Sequence, residues 1–129
     1  MIEKRRKKIN SVKEIEGFRT VKGTYSKVHS NVKYLIKKFA EKTETKNYYI
    51  GATEDLDTRW SKYKDWQYKQ VIYETSSYEI AKKAEEDLIK FANRTYDNCN
   101  KIPHSKGLKE GAKIYYIYML GDKACKLRN

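Results

Sequence analysis

Residues 48–60 read Tyr-Tyr-Ile-Gly-Ala-Thr-Glu-Asp-Leu-Asp-Thr-Arg-Trp. The first four, Tyr48-Tyr49-Ile50-Gly51, have the aromatic and β-branched make-up of a strand. Thr53 stands where a helix N-cap is expected. Glu54 and Asp55 then put negative charge in the first turn, where the helix dipole favours it. Leu56, Trp60 and Tyr63 recur at i, i+4 and i+7 and give that helix an apolar stripe. A strand running straight into an amphipathic helix anchors the reading of the rest of the chain.

Upstream, Val32-Lys33-Tyr34-Leu35-Ile36 has the composition of another strand. The polar stretch Glu41–Asn47 separates the two, which predicts an antiparallel hairpin with a long loop. Downstream, Gln70-Val71-Ile72-Tyr73-Glu74 reads as a third strand. Ser76 and Glu79 form a capping-box pattern. The helix behind them runs to about Ala92, with Ile80, Ala84, Leu88 and Phe91 on one face. Residues 93–111 are turn-rich, and Ile114–Leu120 reads as a buried strand. The order β-β-α-β-α-β predicts an α+β fold, a small antiparallel-leaning sheet flanked by helices.

The 129 residues fit one domain, since domains cluster at ~100–150 residues. Lys and Arg number 29 against 17 Asp and Glu, a net charge of +12. No stretch approaches the ~20 apolar residues of a spanning helix, which excludes an integral helical membrane protein. The N-terminus lacks the apolar segment of a secretory signal, and Cys99 and Cys125 are too few for a disulfide framework. The expected setting is intracellular and reducing, cytoplasmic or nuclear. The charge points to an anionic partner, most simply nucleic acid, whose phosphates release counterions on contact. Residues 1–31 carry nine basic and three acidic side chains and read as a basic arm. Within it, Lys4, Arg5, Arg6, Lys7 and Lys8 form a run suited to simple solvation, to phosphate contact or to nuclear targeting. A domain over 32–121 and a basic tail over 122–129 complete the expected layout.

Two charged residues break the pattern of their helices. Glu86 has Lys82, Lys83 and Lys90 as helical neighbours and belongs to a wet face. Glu85 instead neighbours Ala81, Leu88 and Ile89, an apolar face where a carboxylate is costly unless it is satisfied. Two readings stay open for it: an edge position reaching solvent, or a metal ligand or catalytic acid. Arg59 lies between Leu56 and Tyr63 beside Trp60. It is placed either to stack on aromatics or to grip a phosphate with its two-pronged guanidinium.

These residues resemble the GIY-YIG nucleases. Tyr49-Ile50-Gly51 matches the second half of that signature, Arg59 follows Tyr49 by ten residues, and Tyr63 follows four later. Glu85 precedes Leu88-Ile89 as the family's metal-binding Glu precedes a Leu-Ile pair. The first half of the signature keeps only its tyrosine, as Val32-Lys33-Tyr34. Asn98 and Asn100 are candidates for the family's supporting Asn, with Asn100 favoured because it precedes a Lys-Ile-Pro turn.

The resemblance implies a Mg²⁺-dependent or Mn²⁺-dependent endonuclease acting on double-stranded DNA, as a monomer or homodimer, with no membrane partner. In that scheme Glu85 holds the metal and Arg59 clamps the scissile phosphate. Tyr34 and Tyr49, facing each other across the hairpin, orient or deprotonate the attacking water, with Asn100 in support. Lys33, Tyr63 and Lys101 contact the nucleic acid, and Gly51 leaves room for a phosphate. The alternative is a basic nucleic-acid-binding protein of a virus or mobile element that does not cut.

Overall fold

The computed structural model describes residues 18–43, 47–96 and 108–122. Four strands and three helices alternate along it. They are β1 (Val21–Lys22), α1 (Tyr25–Thr43), β2 (Asn47–Thr53), α2 (Leu56–Lys62), β3 (Tyr68–Thr75), α3 (Tyr78–Thr95) and β4 (Tyr115–Asp122). The fold is α+β, built on one mixed sheet in the order β1-β3-β4-β2. The β3/β4 and β4/β2 pairs are antiparallel, and β1/β3 is parallel. No helix among the described residues is long and apolar enough to cross a membrane.

The segment Val32–Ile36 is helical, not a strand. Its β-branched residues suggest a strand over five positions, but the apolar pattern runs further. Val32, Ile36, Phe39 and Thr43 are all buried, at steps of four, three and four. That is the period of one helix face. The expected hairpin of residues 32–36 with β2 is therefore absent. The antiparallel neighbour of β2 is β4, with Gly51 opposite Tyr118 and Tyr49 opposite Leu120.

The described part of the expected arm is also built into the fold. Val21 pairs with Tyr73 and Lys22 with Glu74, and Lys22 Nζ lies 3.4 Å from Glu74 Oε2. The Thr20 hydroxyl donates to the Val71 carbonyl at 3.1 Å, and Phe18 and Val21 pack against the core. Residue 31 falls inside α1. The run Lys4–Lys8 lies outside the described residues.

Alternation sorts β2 and β4 between two faces. Tyr48, Ile50, Ile117 and Met119 join Val32, Ile36, Phe39, Ala84, Leu88 and Ile89 in the main core, between the sheet and the pair α1/α3. Tyr49, Tyr118 and Leu120 pack on the other side with Trp60, Tyr63 and Trp66. The caps differ by a residue or two from the expected ones. Asp55, not Thr53, caps α2, its carboxylate accepting from the Thr58 N–H at 3.2 Å. Thr53 instead accepts from the Asp55 N–H at 2.9 Å and shapes the turn. Ser77, not Ser76, caps α3 and accepts from the Ile80 N–H at 3.2 Å.

Candidate active site

Three elements bring the site together. β2 supplies Tyr49, the short helix behind it supplies Arg59 and Tyr63, and β4 supplies Tyr118. The three tyrosine rings form a triangle, with centroid distances of 6.0, 6.0 and 6.2 Å. Trp60 closes edge-on against Tyr118 at 5.5 Å. The Tyr63 hydroxyl is the hub and hydrogen-bonds with Tyr49, Tyr118 and the Arg59 guanidinium. Tyr63 is fixed in turn as the C-cap of α2, its N–H donating to the Arg59 carbonyl at 3.0 Å.

Glu85 reaches this cluster from α3. It is 5% exposed, and its Oε1 has no hydrogen-bond partner among the described residues. Burial, with repulsion from Glu86 added, pushes its carboxyl up to about 8. Arg59 and the Ala52 backbone N–H pull the other way, which puts both beside the carboxylate. The reading of Glu85 as an edge residue reaching solvent is thus overturned.

Arg59 is held between opposing effects. Burial works against its charge, while Tyr118, Tyr63 and Tyr49 work for it, and the balance keeps it cationic. Burial also raises Tyr49, helped by Tyr63 and the Glu85 charge, while Arg59 lowers it. Tyr118 is raised as well, by burial first and then by its two tyrosine neighbours. The Tyr49 and Tyr118 hydroxyls therefore suit hydrogen bonding better than proton abstraction.

Two expected site residues are elsewhere. Tyr34 and Lys33 are on α1, on the side of the sheet opposite the tyrosine triangle. Tyr34 is 56% exposed, with Lys38 Nζ 5.6 Å above its ring. Lys33 Nζ lies 3.3 Å from Asp87 Oδ2 and 5.6 Å over the Phe91 ring. The space over Gly51 is not free for a phosphate either, because Tyr118 fills it. Asn98, Asn100 and Lys101 lie outside the described residues.

The residue that sequence reading missed is Tyr118, which reads as core packing within an apolar run. The alternation of Ile117 and Met119 with Tyr118 and Leu120 is visible in the sequence. The pairing of that strand with Gly51 is not.

A cation at this site would have one carboxylate. Among the described residues no three His, Cys, Asp or Glu side chains cluster to hold a metal. Mg²⁺ keeps most of its waters and needs only one or two carboxylates. A buried carboxylate with an unpartnered oxygen, within the electrostatic reach of Arg59, fits that demand. No protein-family model, no curated protein and no solved structure matches the chain.

Proposed function

We propose that this chain is a metal-dependent endonuclease that hydrolyses DNA phosphodiester bonds in the manner of the GIY-YIG nucleases. The observation that carries the reading is Glu85. A carboxylate at 5% exposure with an orphaned oxygen is costly, and the cost is offset if it binds a cation. Its neighbours Arg59 and Tyr49 are among those the resemblance requires. The tyrosine expected from an antiparallel partner strand is present too, as Tyr118. It comes from β4, which follows the Tyr49-Ile50-Gly51 strand in the chain instead of preceding it.

In this reading Glu85 would hold Mg²⁺ or Mn²⁺, which would supply positive charge to offset the charge gathering on the scissile phosphate and the leaving 3′-oxygen. Arg59 grips a non-bridging phosphate oxygen, and its link to Tyr63 fixes the direction of the guanidinium. Tyr49, kept protonated by burial, orients water for in-line attack. Water adds across the P–O3′ bond, leaving a 5′-phosphate and a 3′-hydroxyl.

A second reading is a nucleic-acid binder that does not cut. The raised Tyr49 favours it, because among the described residues Arg59 is the one positive charge that lowers that phenol. Incubation of supercoiled plasmid with purified protein and Mg²⁺ separates the two. The endonuclease reading requires nicked or linear product that disappears in EDTA and in Glu85→Gln. Retarded but intact plasmid would leave only the binder.

A further inference from the structure

The outer face of α1 is unused by the site. Val32, Ile36, Phe39 and Thr43 turn one side of this helix into the core. At ~100° per residue, the opposite side carries Lys27, Ser30, Tyr34, Lys37, Lys38 and Glu41, with Asn31 towards its edge. Tyr34, at 56%, is the most exposed large apolar side chain among the described residues. Small side chains and this ring occupy the centre of the stripe, with Lys27 at one end and Lys37, Lys38 and Glu41 at the other.

We propose that this face of α1 is a second nucleic-acid contact, which lies along the major groove of double-stranded DNA. Charge complementarity selects the partner. The stripe carries three lysines against one acid, Glu41, it belongs to a chain of net charge +12, and it carries one aromatic in place of the apolar patch a protein partner would need. Lys27 and Lys38 are eleven residues apart, about 16 Å along the axis. An α-helix fits the ~12 Å width of the major groove, and over this length its lysine stems reach phosphates of the flanking rims. Between them Asn31 has the amide that pairs with an adenine edge, and Tyr34 offers its ring to a base or thymine methyl. The face is separate from the Arg59 cleft, since α1 and α2 lie on opposite sides of the sheet. The inference rests on the proposed function only in taking DNA as the partner.

The test is fluorescence anisotropy with a labelled 20-base-pair duplex in EDTA, so that binding is read whether or not the protein cuts. The variant Lys27→Glu/Lys37→Glu/Lys38→Glu is compared with Lys83→Glu/Lys90→Glu/Lys113→Glu, which makes the same change in net charge elsewhere. The α1 set is expected to weaken binding at least thirtyfold and to lower the log–log salt slope by about 2.7, at ~0.9 per phosphate contact. The control set is expected to lose less than threefold. Tyr34→Ala, at an exposed position, should cost fivefold or more, and it decides the matter if the charge-reversed set fails to fold. Equal losses in the two lysine sets, a Tyr34→Ala loss under twofold, or tighter binding to polyglutamate than to the duplex would each overturn the proposal. Duplex binding lost on changing α1, with plasmid left intact in Mg²⁺, would sustain this inference while sinking the endonuclease reading.

Discussion

The Tyr118 hydroxyl oxygen lies 2.5 Å from the point where a Cβ on Gly51 would stand, and Tyr118 Cζ lies 2.7 Å from it. Glycine is thus required at position 51 by a ring from the neighbouring strand. Tyr49 Cε2, at 2.9 Å from the same point, tightens the requirement. Gly51→Ala must push both rings aside. We expect a loss of about 1–3 kcal/mol, the usual range for overpacking, read from the urea midpoint. In a Tyr118→Leu background the same substitution should cost measurably less, because residues in contact are not additive. Equal costs in the two backgrounds would show that Tyr118 does not occupy that space.

Tyr118 hydrogen-bonds with Tyr63 and its ring stands 6.2 Å from that of Tyr49, so its hydroxyl helps to fix the triangle. Tyr118→Phe keeps the ring and removes the oxygen. The expected result is a cleavage rate at least tenfold lower with near-native thermal stability. Tyr96→Phe, beside Tyr48 on the far face of the sheet, serves as the control and should cut at the native rate. Single-turnover cleavage of a labelled duplex measures both.

What the sequence made legible follows from the range of each signal. The turn from β2 into α2 is local, and residues 48–60 carry its strand composition, apolar spacing and first-turn acids. Glu85 was legible because a carboxylate among Ala81, Leu88 and Ile89 breaks a helical stripe. Both rest on neighbours within four residues. The helix at 32–36 was misread for the opposite reason. Five residues of β-branched and aromatic composition outweighed a helical period that shows only when Phe39 and Thr43 are included. Tyr118 was beyond reach because its role depends on strand pairing, and Gly51↔Tyr118 spans 67 positions of the chain. The two-residue β1 is too short for any periodicity to show.

Arg59 meets Tyr63 through a hydrogen bond and Glu85 and Tyr49 through its charge. A lysine keeps the charge but loses the planar fork that contacts Tyr63 and a phosphate together. Arg59→Lys should therefore lower cleavage by about 10²–10³, the cost of one lost preorganised donor. Binding of uncut duplex should change less than threefold. A lysine variant that cuts at the native rate would show that only the charge matters.

Glu85 also makes stability depend on pH in a direction opposite to that of a salt-bridged acid. Unfolded, its carboxyl titrates near the ordinary ~4.3. Folded, it titrates at about 8. Between those values the native state binds the extra proton, so stability falls as pH rises through the window and levels off above 8. Glu85→Gln mimics the protonated form and removes that slope. In EDTA at pH 5 the variant and the native protein should melt together. At pH 8.5 the variant should melt ~10 °C higher, since one proton retained over about three pH units is worth ~4 kcal/mol and 1 kcal/mol moves the midpoint by a few degrees in a chain of this size. Adding Mg²⁺ at pH 8.5 should raise the native melting temperature and leave that of Glu85→Gln unmoved. Melting curves followed by circular dichroism at the two pH values read all three effects. A gap that is the same at pH 5 and pH 8.5 would mean that Glu85 is not a buried ionisable group, and would remove the basis for placing a cation beside it.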